Sequence, residues 1–249
     1  MYNKNSQKVH QKVSNNRWGR SISIYTAVGI DKEGKKLILG YWVNNGGENK
    51  SLWIEVLQDL IARGMKRVMV FVTDDFPGLK EVMEKLFPYS DHQLCYIHMQ
   101  RNMKKNLSKD AYKIMKKKLY LVRTLVDMEE GKEIFEEVIE TVSKENKSLG
   151  DRLRGRMDNY LTFLKYPEPV RKHIYTTNIV ESINAGLEYM RYQLGGYFPS
   201  RQSLDMNYFI QIENKNDRWM RTLIPDIKKC EYELTQMFAL RFELSKEED

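Results

Sequence analysis

Val68–Val72 is a continuous apolar run, and it constrains the fold more than any other stretch. A short strand with no polar alternation is the type buried on both faces of a sheet. It follows a segment in which Leu52, Trp53, Val56, Leu57, Leu60 and Ile61 recur at helical spacing, so one side of a helix is apolar. Gly64 is placed to end that helix. Upstream, Ser21–Gly29 is rich in β-branched and aromatic residues. Asp31–Gly34 is a turn signature, and Lys35–Val43 reads as the returning strand of a hairpin. A short helix at Leu79–Leu86 and a strand at Gln93–Ile97 complete a β-β-α-β-α-β order over the first hundred residues. Residues 1–20 carry no strong pattern of their own.

From Met99 to Lys165 the pattern is helical. Ile134, Phe135, Val138, Ile139 and Val142 form a second apolar stripe. Asp127 is placed as its N-cap, with Glu130 as a capping-box partner. Pro167 and Pro169 interrupt the pattern. A helix over Asn178–Arg191, a loop at Gly195–Pro199 and a helical C-terminus from Leu204 follow. Composition agrees with a folded α/β protein: 249 residues with 41% hydrophobic content are enough for a substantial core. The polar N-terminus lacks the apolar segment of a signal peptide, and no apolar run is long enough to span a bilayer. Two cysteines give no disulfide framework. These features lead us to expect a soluble, cytoplasmic protein with no membrane partner.

The net charge of +7 favours an anionic partner, with nucleic acid the first candidate. The charge is sorted along the chain. Residues 101–118 hold Arg101, Lys104, Lys105, Lys109, Lys113, Lys116, Lys117 and Lys118 against one acid, Asp110. Such spacing on one helical side is commonly a solvated face, but one acid among eight bases suits phosphate.

Three constellations could carry chemistry. Asp74 ends the buried strand, where open α/β sheets place ligands, and a carboxylate suits Mg²⁺. The same position is also favoured by turn-forming Asp. Asp75, ahead of Pro77, is read as a helix cap. Cys95 and His98 form a Cys-x₂-His pair; with no matching second pair in the chain a structural zinc is not expected, and Cys95 reads as a packed thiol. Asn178, Glu181 and Asn184 fall near one face of a helix whose other side carries Ile179, Val180 and Ile183. That polar stripe is either solvated, with Thr177 or Asn178 as cap, or turned towards a sheet edge and a metal.

Taken together, these stretches resemble the Mutator-type DDE transposases of bacterial and archaeal insertion sequences. The likeness is carried in order by YTAVGIDKEGKKLILGYWV, LWIEVLQDLIARGMKRVMVFVTDDFPGL, FPYSDHQLCYIHMQRNM and YPEPVRKHIYTTNIVESIN, with FPS and FALRFEL near the end. The resemblance implies an RNase H-like mixed β-sheet core with an all-α insertion between the second Asp and the Glu, and a helical C-terminus. In these terms residues 1–98 are the first part of the core, 99–168 the insertion and 169–249 the last part. The resemblance makes Asp74 and Glu181 catalytic carboxylates and metal ligands, with Cys95, His98, Asn178 and Asn184 near the active site. It implies Mg²⁺ as cofactor, with Mn²⁺ as a substitute, and DNA at element ends and targets as partner. Arg101, Lys104, Lys105, Lys109, Lys113 and Arg191 are the candidate DNA contacts, and a homo-oligomer is expected.

One departure stands out. The family's first catalytic Asp falls, by spacing, near Gln7, and no Asp or Glu precedes Asp31, which belongs to the hairpin turn. The sequence therefore reads as an N-terminally truncated or decayed member. The reading of a transposase that cuts and joins DNA strands stands beside that of a non-catalytic DNA-binding remnant. A nuclease of RNase H type is a third reading, against which the Thr-Thr-Asn-x-x-Glu motif and the large insertion weigh.

Overall fold

The computed structural model describes residues 23–45, 50–125 and 127–242 in full, and the backbone of strands within 3–6, 9–15 and 18–22. The fold is mixed α/β and mostly helical, with small sheets. Strands β2 (Val9–Asn15), β3 (Trp18–Ile30) and β4 (Lys36–Asn45) form an antiparallel sheet in that order. Strands β1 (Asn3–Ser6), β5 (Val70–Thr73) and β6 (Asp91–Leu94) form a parallel one, in the order β1-β5-β6. β1 also runs alongside β3, so the two sheets adjoin. The hairpin between β3 and β4 closes as expected. Asp31 Oδ1 accepts from the backbone N–H of Glu33 and Lys35 at 3.0 and 2.8 Å, and Gly34 takes φ 88°.

Alternation in β3 assigns its two faces. Tyr25 and Ala27 pack with Trp53, Val56, Leu57 and Leu60 of α1 (Lys50–Ala62) and with Val82 and Met83 of α2 (Leu79–Leu86). Ile24 and Val28 face the other way, onto Val180, Ile183 and Leu187 of α9 (Asn178–Gln193) and Leu204, Tyr208 and Ile212 of α10 (Arg201–Met220). β3 is thus covered on both sides. In the parallel sheet, Val68 and Phe71 join the α1–α2 cluster while Met69, Val70 and Val72 pack into a separate one, so Val68–Val72 is buried throughout, which explains its unbroken apolar character.

The helices α3 (Tyr96–Asn106), α4 (Lys109–Thr124), α5 (Met128–Glu145), α6 (Lys147–Arg154), α7 (Met157–Leu161) and α8 (Glu168–Arg171) share a third apolar cluster. Phe135, Val138, Ile139 and Val142 are fully buried there. Asp127 caps α5 by accepting from the N–H groups of Glu129 and Glu130 at 2.6 and 3.2 Å. The C-terminal helices α11 (Pro225–Lys229) and α12 (Glu231–Phe242) add Ile227, Leu234 and Phe242 to the same cluster.

Three expectations are corrected. The strand expected at Gln93–Ile97 is β6 at Asp91–Leu94, and Tyr96 opens α3 instead. Tyr96, Met99 and Met103 recur at three- and four-residue spacing and are all buried, so the helical period wins over the β-prone composition of residues 94–97. The basic stretch 101–118 is not one helix. It divides between α3 and α4, and Ser108 caps the second by accepting from Ala111 N at 3.2 Å. Residues 1–20, read as unpatterned, contribute β1, β2 and the start of β3. Among the described residues no helix is long and apolar enough to cross a membrane.

Candidate functional site

Three chain segments meet where β5 ends. Backbone bonds fix them: Cys95 N donates to Thr73 O at 2.9 Å, and Tyr96 N donates to Tyr175 O at 3.0 Å. The first ties the start of α3 to the end of β5. The second ties it to the connection that leads into α9. Asp74 leaves β5 immediately after the last paired residue, Thr73, which lies opposite Leu94 in β6. Thr73 also uses its hydroxyl, bonding Asp74 O at 2.9 Å and His92 Nε2 at 2.8 Å. Burial pushes the His92 imidazole pKa down to about 3, helped by Lys80 and Arg156, so this ring stays neutral beneath the site.

Helix α3 then presents its first two turns to the carboxylates. His98 Nδ1 lies 2.7 Å from Asp74 Oδ1. One turn further on, Arg101 Nη1 lies 2.7 Å from Glu181 Oε1. Asp74 and Glu181 are therefore drawn to the same helix, each by a cationic partner three residues from the other. Burial opposes a charge on His98, but its bonds to Asp74 and Cys95 outweigh that and push its pKa up to about 10. At neutral pH it is an imidazolium. Glu181 sits in the first turn of α9, where its N–H bonds Thr177 O at 3.0 Å and where the helix dipole favours an anion.

Cys95 occupies the N-cap position of α3 but does not cap it with its side chain. Its Sγ instead lies 3.1 Å from Thr177 Oγ1. Thr177 is likewise the N-cap residue of α9 and makes no side-chain cap bond. Each of these cap residues turns its side chain to the other, which joins the starts of two helices. A carboxylate oxygen of Asp74, the Cys95 sulfur and a ring nitrogen of His98 all lie within 4.8 Å of one another.

Asp75 does not cap α2. That N-cap position is Gly78, at φ 80°, with no side-chain bond. Asp75 faces the end of α6 and the start of α7, where Arg156 Nε and Arg152 Nε lie 3.4 and 3.6 Å from its carboxylate oxygens. Gly78 takes the N-cap position, and two arginines offer the Asp75 carboxylate charged partners instead.

The other candidate residues are spread around this centre. Asn178 is exposed and Asn184 half-buried along α9. Lys104, Lys105, Lys109 and Lys113 are exposed, on α3 and α4. Arg191 is turned to its own helix end: Nε donates to Glu188 Oε2 at 2.9 Å and Nη1 to Gly196 O at 2.6 Å. The sequence reading missed Thr177 as the partner of Cys95, and Arg152 and Arg156 as partners of Asp75. It named Arg101 only as a DNA contact. Nothing in the local sequence signals these pairings, because each joins residues far apart in the chain.

Comparison with known proteins adds an independent line. The sequence pattern of the family described as "Transposase, Mutator family" matches residues 7–222. The transposase for insertion sequence element IS905 of Lactococcus lactis is 26% identical over 215 residues, 86% of this chain and 54% of that protein. The transposase for insertion sequence element ISRM3 of Rhizobium meliloti is 25% identical over 214 residues, 86% of this chain and 53% of the relative. A probable insertion-element transposase of Corynebacterium diphtheriae is 31% identical over 198 residues, 79% of this chain and 57% of the relative. The chain thus spans about half the length of the curated relatives it matches.

Proposed function

The chain belongs to the Mutator family of transposases, and from that premise we propose that it carries the carboxylate site of an insertion-element transposase, which cleaves DNA strands at element ends and joins them to target DNA. The observation that carries this reading is that Asp74 and Glu181 each pair with α3, through His98 and Arg101 three residues apart. Two carboxylates brought to one place need compensating positive charge. Here a protonated imidazole and a guanidinium provide it.

The donor set suits Mg²⁺ or Mn²⁺ as far as Asp74 and Glu181 are concerned, since hard cations take carboxylate oxygens. When bound, such cations activate the attacking oxygen and stabilise the leaving oxygen of a phosphoryl displacement. The chain's own contribution is positional. β5 delivers Asp74 at a sheet end, α9 delivers Glu181 in its first turn, and α3 fixes both. Arg101 and His98 are also placed to bind phosphate oxygens once the carboxylates engage metal.

The strand arrangement supports an RNase H-like core. β1 runs parallel to β5 with Ser6 opposite Thr73, and lies beside the antiparallel β2-β3-β4 sheet. In that reading 1–98 and 169–249 build the core and 99–168 the helical insertion. DNA is the proposed partner, with Arg101, Lys104, Lys105, Lys109, Lys113 and Arg191 as candidate contacts and self-association expected during transposition.

A second reading is favoured by one specific observation: no Asp or Glu precedes Asp31, and Asp31 is committed to its turn. Gln7, where the family's first Asp falls, lies outside the described residues. On this reading the chain binds DNA without cutting it. The test is Mg²⁺- or Mn²⁺-dependent strand transfer of labelled element-end DNA, beside Asp74→Ala and Glu181→Ala. Activity lost in both variants supports the catalytic reading. DNA binding with no strand breakage in any form supports the second.

A further inference from the structure

We propose that Asp74, Cys95 and His98 form a binding site for a thiophilic divalent cation of the Zn²⁺ class, sharing Asp74 with the carboxylate site but choosing its metal by different chemistry. The geometry is the starting point. One oxygen, one sulfur and one nitrogen donor lie within 4.8 Å of one another. A tetrahedral Zn²⁺ site holds its donors about 2.0–2.3 Å from the metal, so neighbouring donors sit about 3–4 Å apart. The three groups here need only small side-chain movements to close to that spacing. The frame beneath them is fixed, because Cys95 N–H is bonded to Thr73 O and Cys95 O accepts from Met99 N at 3.1 Å.

The donor chemistry selects the metal. Thiolate and imidazole favour Zn²⁺ and its thiophilic neighbours, whereas Mg²⁺ takes oxygen. Two anionic ligands, Asp74 and the Cys95 thiolate, balance a divalent charge, with His98 as the neutral third. Three protein ligands leave a fourth position open. Asp74 and His98 are each 31% exposed on their side chains, so that position faces solvent. Binding requires neutral imidazole, thiolate and carboxylate ligands, so any protons these donors carry pass to water as the cation binds. Thr177 supplies outer support, since its hydroxyl lies 3.1 Å from the Cys95 sulfur and would orient that ligand. The sequence alone argued against zinc because it offered no second Cys/His pair. The fold supplies the missing ligand as a carboxylate from the end of β5.

Binding stands on this geometry alone. Its consequence, that a thiophilic cation at Asp74 excludes Mg²⁺ and holds strand chemistry off, rests on the catalytic reading above. The test titrates the full chain with Co²⁺ and follows the thiolate-to-cobalt charge-transfer absorption. The chain has two cysteines, and Cys230 lies in the helical core between α11 and α12. The expected result is a stoichiometric band that Zn²⁺ abolishes by displacement. It survives in Cys230→Ser and Glu181→Gln and is lost in Cys95→Ser. Thr177→Val weakens Co²⁺ binding by about tenfold or more. No thiolate band in the wild-type chain at saturating Co²⁺ overturns the proposal. So does a band lost in Cys230→Ser, an outcome that stays informative even if Cys95→Ser does not fold. An absence of strand transfer leaves these spectra unaffected, so the two readings fail separately.

Discussion

His98 is the residue on which the site's electrostatics turn. Its ring is partly buried, and alone it would be neutral; Asp74 and Cys95 keep it charged. A pKa raised from an ordinary 6.5 to about 10 means the fold binds this proton more tightly than the unfolded chain does. The resulting stabilisation is complete below about pH 6.5 and fades as pH rises towards about 10. Thermal melts of the wild type and His98→Gln are therefore expected to differ most near pH 6 and to converge by about pH 10. A gap that is constant or that widens with pH contradicts this. Asp74, Cys95, His98 and Glu181 were legible as residues, because each sits in a short motif with a recognisable type and spacing. Their partners were not. Thr177 looked like a helix cap, and its hydroxyl turns to Cys95 only because α3 and α9 start side by side. Asp75 also looked like a cap, and only the folding of α6 and α7 brings Arg152 and Arg156 to it.

At the scale of elements, periodicity was informative wherever one face of a helix is apolar. α2 occupies Leu79–Leu86, the residues its pattern indicated. α1 buries Trp53, Val56, Leu57 and Leu60 of its stripe, while Ile61 remains 37% exposed at the edge. The pattern misled where short-range composition and tertiary packing disagree, as at Tyr96 and Ile97, where β-prone side chains begin a helix. The junction between β6 and the segment from α7 to Phe163 was likewise invisible in sequence. It depends on Gln93, which is fully buried. Gln93 Nε2 donates to Leu94 O and Tyr160 O at 2.7 and 2.9 Å, and its Oε1 accepts from Phe163 N at 2.7 Å. Gln93→Met would keep the volume and strand these backbone groups in an apolar setting. We expect a loss of about 3 kcal/mol, from about 1–3 kcal/mol for each buried group left unpaired. Urea denaturation measures it, and a loss below about 1 kcal/mol would show that the junction is held elsewhere.

For the molecule as a whole, three apolar clusters build one frame: one on each side of β3, and a third that joins β5, helices α3–α8 and the C-terminal helices. The mixed α/β class was legible from the alternation of helical and strand patterns. The strands within residues 3–15 were not, because they are polar and gain their place by pairing. The net charge of +7 belongs to this scale, and so does the proposed grip on DNA. Replacing Lys104, Lys105, Lys109 and Lys113 together by Ala is expected to weaken binding to all DNA sequences alike. The slope of log affinity against log salt should fall by about 0.9 for each phosphate that these lysines no longer neutralise. A slope unchanged from wild type would place the DNA-binding surface elsewhere. The central claim is that Asp74 and Glu181 act as one site for a hard divalent cation. Its most direct measurement is Mn²⁺ binding to the chain by electron paramagnetic resonance, beside Asp74→Asn and Glu181→Gln. The account predicts that each variant weakens Mn²⁺ binding by about tenfold or more, on the scale seen when a metal site loses support. Binding that depends on neither residue, or on Asp74 alone, would contradict it.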